Sequence, residues 1–393
     1  MKRSVILSIV LISVLFLSCH RRKPDEKGVQ VMAYYYTRWQ NFKPETLPYD
    51  KLTHIIFSFT EVIDGEMKFP VDTLGMMLKI LVKQKKKNPD LKVMVACGGW
   101  AGSGGFSEMA RTPETRKKFV ESVVKFIKQY KIDGIDIDWE YPGLSGMGNP
   151  YIPEDKENFT ALMCDLRQGM NTICDNLVLT FAGAGWEKAF DHIELDKVMQ
   201  CLNYVNVMSY DLAGGNDPYT SHHTNLGLIK MEDLQGTPAA AKIIEEGDST
   251  KPFSTEKIVT YLINKGVKPS QIVIGSNFSG RAWQGVPPEN NGLYQLNRGR
   301  WRGRAGYSRI REEIENKNGY VRYWDPIAKA PYLYSAKDSV FITYDDTMSV
   351  RLKTKYAAGL GLGGIMFWQL GADAPQDGLV DAIFAEKQKY KTE

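Results

Sequence analysis

The stretch KIDGIDIDWEYPG, Lys131 to Gly143, sets Asp133, Asp136, Asp138 and Glu140 among Ile132, Ile135, Ile137 and Trp139. Along an extended strand side chains alternate between faces, so Asp136, Asp138 and Glu140 share one face while Ile135, Ile137 and Trp139 share the other. Asp133 has the opposite parity to the three acids. Successive acids on one face stand roughly 6.6 Å apart, near enough for each to raise its neighbour's pKa unless something compensates. A carboxyl kept protonated in this way can donate a proton near neutral pH, so the pattern suits chemistry better than stability. The alternation alone fits equally well an edge strand whose polar face meets water.

The elements around the acids decide between these readings. Eight short apolar runs recur along the chain: VMAYYY (31–36), HIIFSF (54–59), KVMVA (92–96), IDGIDID (132–138), LVLTFA (177–182), NYVNVMS (203–209), IVIGSN (272–277) and GGIMFW (363–368). Segments such as TPETRKKFVESVVKFIKQY and STEKIVTYLINKG lie between them, with apolar residues at helical spacing behind Thr, Ser, Asp or Pro starts. Eight alternating units imply an α/β fold, a parallel (β/α)8 TIM barrel. Barrel sites lie at the C-terminal ends of the strands, and Asp138 and Glu140 close the fourth, which turns the acids into the lumen. The rhythm breaks once, at about 282–346 between strand 7 and the last barrel helix, where GYVRYWD and VFITYDD flank a helical YSRIREEIEN. This reads as a small α+β insertion.

The 393 residues are 43% hydrophobic and 24% charged, an ordinary globular composition with enough apolar surface for a large core. The net charge is only +4, and the basic run KQKKK ends an apparent helix, so no nucleic acid partner is expected. The start of the chain, MKRSVILSIVLISVLFLSCHRRK, has the basic then apolar layout of a secretory signal. Its apolar run is too short to read as a spanning helix. Cys19 directly after that run resembles a bacterial lipoprotein signal. Residues 1–19 then form the signal, Cys19 the lipidation site and 20–29 a polar tether to the barrel over 30–393, with the protein anchored in the bacterial cell envelope. Of the other cysteines, Cys97 and Cys201 read as small core residues, while Cys164 and Cys174 are candidates for a disulfide. None has a metal-binding spacing, and no metal or cofactor is expected.

DGIDIDWE matches the DxxDxDxE signature of glycoside hydrolase family 18, and the chain resembles its chitinase branch, in which DWEYP is typical. The resemblance spans nearly the whole chain beyond the tether, through YYTRW (35–39), CGGW (97–100), VMSYDLAG (207–214), IGSNFSGRAW (274–283) and GLGGIMFW (361–368). It implies that Glu140 is the general acid/base and that Asp136 and Asp138 form a relay positioning the substrate amide. The sugar's own N-acetyl oxygen then acts as nucleophile, assisted by Tyr210, with retention of configuration. By the same resemblance Tyr35, Trp100, Tyr141, Met208, Asp211, Arg281 and Trp368 contact substrate, and the partner is a β-1,4-linked N-acetylglucosamine polymer cut internally by a monomer. Of the tryptophans near strand ends, Trp100, Trp186, Trp283 and Trp368 could line a cleft, whereas Trp139 has the wrong parity.

Departures from the family pattern mark where this chain differs. Ala96 stands where a Ser is usual and removes one hydrogen bond near the relay; Ser279 replaces a usual Tyr before GR. In NDPYTSHHTNL (216–226), His223, Thr224 and Asn225 are changed, and His222 reads either as a cleft or as a loop residue. Two other activities fit parts of the pattern. An endo-β-N-acetylglucosaminidase acting on N-glycan cores shares the chemistry, and a non-catalytic chitin-binding or sugar-capture lipoprotein shares the fold but has no need of Glu140.

Overall fold

The computed structural model describes residues 28–390 except Ser249 and Arg304. The expected signal, Cys19 and most of the tether therefore lie outside the described residues. Eight parallel strands form a closed ring: β1 (Gln30–Tyr36), β2 (His54–Ile63), β3 (Lys92–Gly98), β4 (Gly134–Asp138), β5 (Val178–Ala184), β6 (Tyr204–Met208), β7 (Ile272–Asn277) and β8 (Gly364–Trp368). Each pairs with its neighbour in the chain, and β8 returns to β1 with Gly364 opposite Gln30.

Period-two alternation sorts the side chains of every strand into two cores. Val31, Ala33 and Tyr35 of β1, Ile55 and Phe57 of β2, Val93, Val95 and Cys97 of β3, and Ile135 and Ile137 of β4 face the surrounding helices. Met32, Tyr34, Ile56, Met94, Ala96, Val178, Val273 and Met366 fill the barrel interior. The helices follow from their own sequences. Thr112 caps the helix Pro113–Tyr130 by accepting from Thr115 N–H, Pro113 sits at its first position, and Phe119, Val123, Phe126 and Ile127 form the buried stripe. Burying each such side chain is worth about 1.5–3 kcal/mol. The helix stops at Lys131 in the left-handed region (φ +57°), which turns the chain into β4. Between β5 and β6 the helical layer is reduced to two single turns, Glu187–Phe190 and Leu195–Val198, too short to show a helical period in sequence.

Between β7 and the helix Thr347–Gly359 lies the insertion, a four-stranded antiparallel sheet ordered Val321–Asp325, Ala330–Ser335, Val340–Thr343 and Arg281–Gln284. Only two of these strands announce themselves in sequence. RAWQ is four residues long, and APYLYS is buried throughout and so shows no alternation. Trp283, Tyr294, Tyr332, Tyr334 and Phe341 form a core of their own beneath the sheet.

The cysteine expectation needs correction. Cys201 is not a lone core thiol but is disulfide-bonded to Cys164, with a Cα–Cα separation of 5.2 Å, so Cys164 does not pair with Cys174. Cys164 projects from the helix Asp155–Asn171 toward the turn that enters β6, whereas Cys174 lies beyond the helix end. Among the described residues Cys97 is the free thiol, and it is buried.

Candidate active site

Gly98 and Gly99 place the end of β4. A Cβ on Gly98 (φ +111°) would lie 2.1 Å from the carbonyl oxygen of Asp138, and Gly99 N–H donates to that same oxygen at 2.8 Å. Only glycine allows so close an approach. Ser103 completes the clamp: its Oγ lies 3.0 Å from the Asp138 carbonyl and accepts from Glu140 N–H at 3.0 Å. The loop that follows is fixed by buried Asp155, which accepts from Ser107 Oγ at 2.8 Å and Ile152 N–H at 3.0 Å. The peptide bond between Glu140 and Tyr141 is cis.

The four acids of the opening motif have different surroundings. Asp133 leaves the row: Lys85 Nζ lies 2.6 Å from its carboxylate, which also accepts from Val93 N–H at 2.8 Å. Asp136, wholly buried, accepts from Tyr34 Oη at 2.8 Å, Thr180 Oγ1 at 2.5 Å and Asn206 Nδ2 at 3.1 Å. These three donors occupy the carboxylate although Ala96, opposite it in the register of β3, offers none. Burial raises Asp136 to about 6 against the pull of those donors. Among the described residues Asp138 has no cation beside it and its buried Oδ1 has no partner; burial first, then the charges of Glu140 and Asp136, push its pKa well above the carboxylate range. Burial lifts Glu140 to about 7, opposed by its contact with Tyr141 and reinforced by Asp211. The row therefore holds protons at a pH where exposed carboxyls have lost them.

Above it opens a cavity of about 1130 Å³ lined by Asp138, Glu140, Tyr141, Met208, Tyr210, Asp211, Arg281, Trp100 and Trp368, among others. Trp368 lies against Phe59 with ring centroids 5.6 Å apart, and Tyr36 adjoins it at 6.0 Å, forming an aromatic floor. Tyr210 is buried beside the carboxyls, and burial followed by the charge of Asp138 raises its hydroxyl pKa. Arg281 reaches both oxygens of Asp211, at 2.8 and 2.6 Å. The ring of His223, buried behind Asp211, comes to 3.6 Å. Burial works against ionisation of Asp211, but the His223 contact and the Arg281 guanidinium hold it down at about 2. At 3.6 Å His223 Nδ1 makes no hydrogen bond to it, which leaves the Arg281 pair as the firmer cause, and with its side chain 47% exposed burial weighs little.

Two expected contacts are elsewhere. Tyr35 does not face the cavity; on β1 it has the outward parity and packs on Phe42 and Phe57, while Tyr34 and Tyr36 point inward. Trp283 is fully buried against Phe341 in the insertion. His222 is not a cleft residue either: its Nε2 lies 3.1 Å from Asp325, which also accepts from Tyr294 Oη at 2.8 Å, so it fastens the loop after β6 to the insertion. Ser279 lies outside the cavity lining, its N–H bonded to Asn277 Oδ1. The sequence reading missed Trp39, 52% exposed on the cavity wall, and Trp186, which meets Tyr141 edge to face, is there as the strand-end position suggested.

Comparison with known proteins agrees with this geometry. The sequence model of Glycosyl hydrolases family 18 matches residues 31–373. The chain belongs to this family. Chitinase A1 of Niallia circulans is 36% identical over 75% of this chain, which spans 42% of that protein's length. Chitinase B of Serratia marcescens is 31% identical over 85% of this chain and 75% of its own. Among solved structures, a family 18 N-acetylglucosaminidase from Paenibacillus barengoltzii superposes with a TM-score of 0.80 at 35% identity, covering 91% of this chain and 99% of that one. Membership places the chain among the glycoside hydrolases, with the carboxyl row of the family signature at the base of its cleft.

Proposed function

We propose that the protein cleaves β-1,4-linked N-acetylglucosamine polymers internally, with retention, using the acetamide of the bound sugar as nucleophile. The observation that carries this reading is Asp138: a buried carboxyl with an unpartnered oxygen, set between Asp136 and Glu140 at the base of the cleft. A sugar acetamide N–H would supply the missing partner and turn its carbonyl oxygen toward the anomeric carbon. Glu140, protonated up to about pH 7, donates to the glycosidic oxygen as the bond breaks, and the resulting carboxylate then deprotonates the water that opens the cyclic oxazolinium ion. Tyr210 borders the same subsite and offers its hydroxyl to the acetamide oxygen, while the Trp368 face supports the apolar side of the pyranose.

The test is a change of substrate. A chitin hexamer should be cut with early β-anomeric products by NMR, and a fully deacetylated hexamer should bind yet stay intact, since its C2 amine has no carbonyl oxygen. Early α-anomers, or efficient cutting between glucosamine units, would sink the mechanism. One solved relative is described as an N-acetylglucosaminidase, which favours a second reading in which single sugars are released. Product lengths from the hexamer separate the two, and an N-glycosylated protein assayed in parallel tests the N-glycan alternative. We further infer attachment to the bacterial envelope through lipidated Cys19; labelled fatty acid should enter the wild-type chain and not Cys19→Ser.

A further inference from the structure

The wall that the insertion gives to the cleft carries a charge that nothing balances. The segment 298–301 extends the insertion sheet along its edge. Arg298 N–H donates to the Gln284 carbonyl at 2.9 Å, Gln284 N–H to Gly299 at 3.0 Å and Trp301 N–H to Ala282 at 3.0 Å, and Arg300 stands opposite Trp283. Directly opposed residues share a face, so Arg300 points the same way as Trp283 and Arg281, toward the loop after β6. Arg281 is committed to Asp211. Arg300 lines the same cavity as Glu140 and, among the described residues, its guanidinium has neither an ion pair nor a hydrogen bond.

Its stem, by contrast, is held. A Cβ on Gly215 would come within 2.5 Å of Arg300 Cγ, so the stem lies on that glycine at the cavity wall. Arg298 rests similarly on Gly285, at 2.7 Å, but does not line the cavity. Tyr36, Trp39 and Trp100 line the same cavity from the ends of β1 and β3, beside Arg38 and Glu61, and their ring faces suit the apolar sides of pyranose rings. A planar guanidinium with a fixed stem suits a carboxylate, which it can grip through two parallel N–H bonds.

We propose that the insertion end of the cleft is a subsite for an N-acetylhexosamine unit bearing a carboxylate, bound by Arg300. This rests on the glycanase reading above and narrows its substrate to partly acidic glycans. The carboxylate could sit at C6, as in oxidised chitin, or on a C3 lactyl ether, as in a muramic acid unit; the guanidinium chemistry is the same.

Calorimetry on the Glu140→Gln protein measures binding without turnover. Three probes separate the cases: a neutral chitin hexamer, a C6-carboxylated hexamer, and a short glycan strand of alternating N-acetylglucosamine and N-acetylmuramic acid with free lactyl carboxylates. At low ionic strength at least one acidic probe should bind about three- to tenfold more tightly than the neutral hexamer, the range open to a partly exposed charge pair. Adding Arg300→Gln should bring that ratio to one, whereas adding Arg298→Gln should leave it in place. Neither acidic probe gaining, or both arginine variants eroding the ratio alike, overturns the subsite while leaving the glycanase reading intact. Failure of the wild type to cut any of the three overturns the reading itself.

Discussion

Asp138 and Asp345 are both buried in this barrel, 5% and 1% exposed, and they end in opposite states. Around Asp345 stand Lys353 Nζ at 2.7 Å, Ser276 Oγ at 2.6 Å, Thr224 Oγ1 at 2.9 Å and Ser349 Oγ at 2.6 Å. Burial opposes its charge, yet the wholly buried Lys353 more than compensates and its pKa falls below the usual value. Asp138 has acids for neighbours and no cation, and its pKa rises. Removal from water is common to both, so the neighbour decides the outcome. A carboxylate with a cation ties elements together, here the helix Thr347–Gly359 to the end of β7. A carboxyl among carboxyls stores a proton. Asp133, 2.6 Å from Lys85 Nζ, makes such a tie within the signature motif itself.

The contrast can be broken from either side. Glu140→Gln removes the proton and little contact area, so turnover should fall by about 10² to 10⁴ or more while oligosaccharide affinity persists. Unchanged turnover on chitin oligomers would show that the row serves another purpose. Lys353→Met leaves Asp345 buried and uncompensated, which should cost about 3–5 kcal/mol in urea unfolding at neutral pH. A loss well under 1 kcal/mol would mean that the hydroxyls alone hold that charge. Tyr210→Phe should weaken a thiazoline mimic of the cyclic intermediate by about 1–3 kcal/mol, read as an inhibition constant, by deleting one buried hydrogen bond.

A further effect is on stability against pH. The folded-state pKa of Glu140 is raised from 4.5 to about 7, so the folded protein binds the extra proton. Its contribution is complete below about pH 4.5 and is lost as pH rises through about 7. Glu140→Gln should consequently gain melting temperature over wild type at pH 8 and gain none at pH 4. Turnover that depends on the same proton should decline through the same window; a gain of equal size at both pH values would place the titration on another group.

Strand parity was legible in the sequence because it is local. Alternation places Asp136, Asp138 and Glu140 on one face, and the recurrence of short apolar runs gives the barrel that turns that face inward. Parity also separates Tyr34 from Tyr35, yet the motif resemblance pointed to Tyr35, and the strand turned it outward. What the sequence concealed lies in long-range contact. Thr180 and Asn206 reach Asp136 from 44 and 70 residues away, and nothing in either segment marks them as its donors. Lys353 reads as an ordinary solvated helix residue because one partner, Asp345, stands in the preceding loop and the other, Thr224, in the distant loop after β6. Arg281–Gln284 was hidden for a different reason, being too short for any period to appear.

The Cys164–Cys201 bond closes a covalent ring around the stretch that contains β5, with the cysteines 37 positions apart. A ring of that size lowers the entropy of the unfolded chain by an amount worth about 3–4 kcal/mol. Thiol–disulfide state is set by the compartment of synthesis, so the same gene expressed in a reducing cytosol and in an oxidising periplasm yields two chemical species. They would differ in heat tolerance and in mobility on a non-reducing gel while sharing every residue of the cleft. Counting free thiols before a melting curve identifies which species is in the tube, and a mixed preparation should melt in two steps that merge once reductant is added.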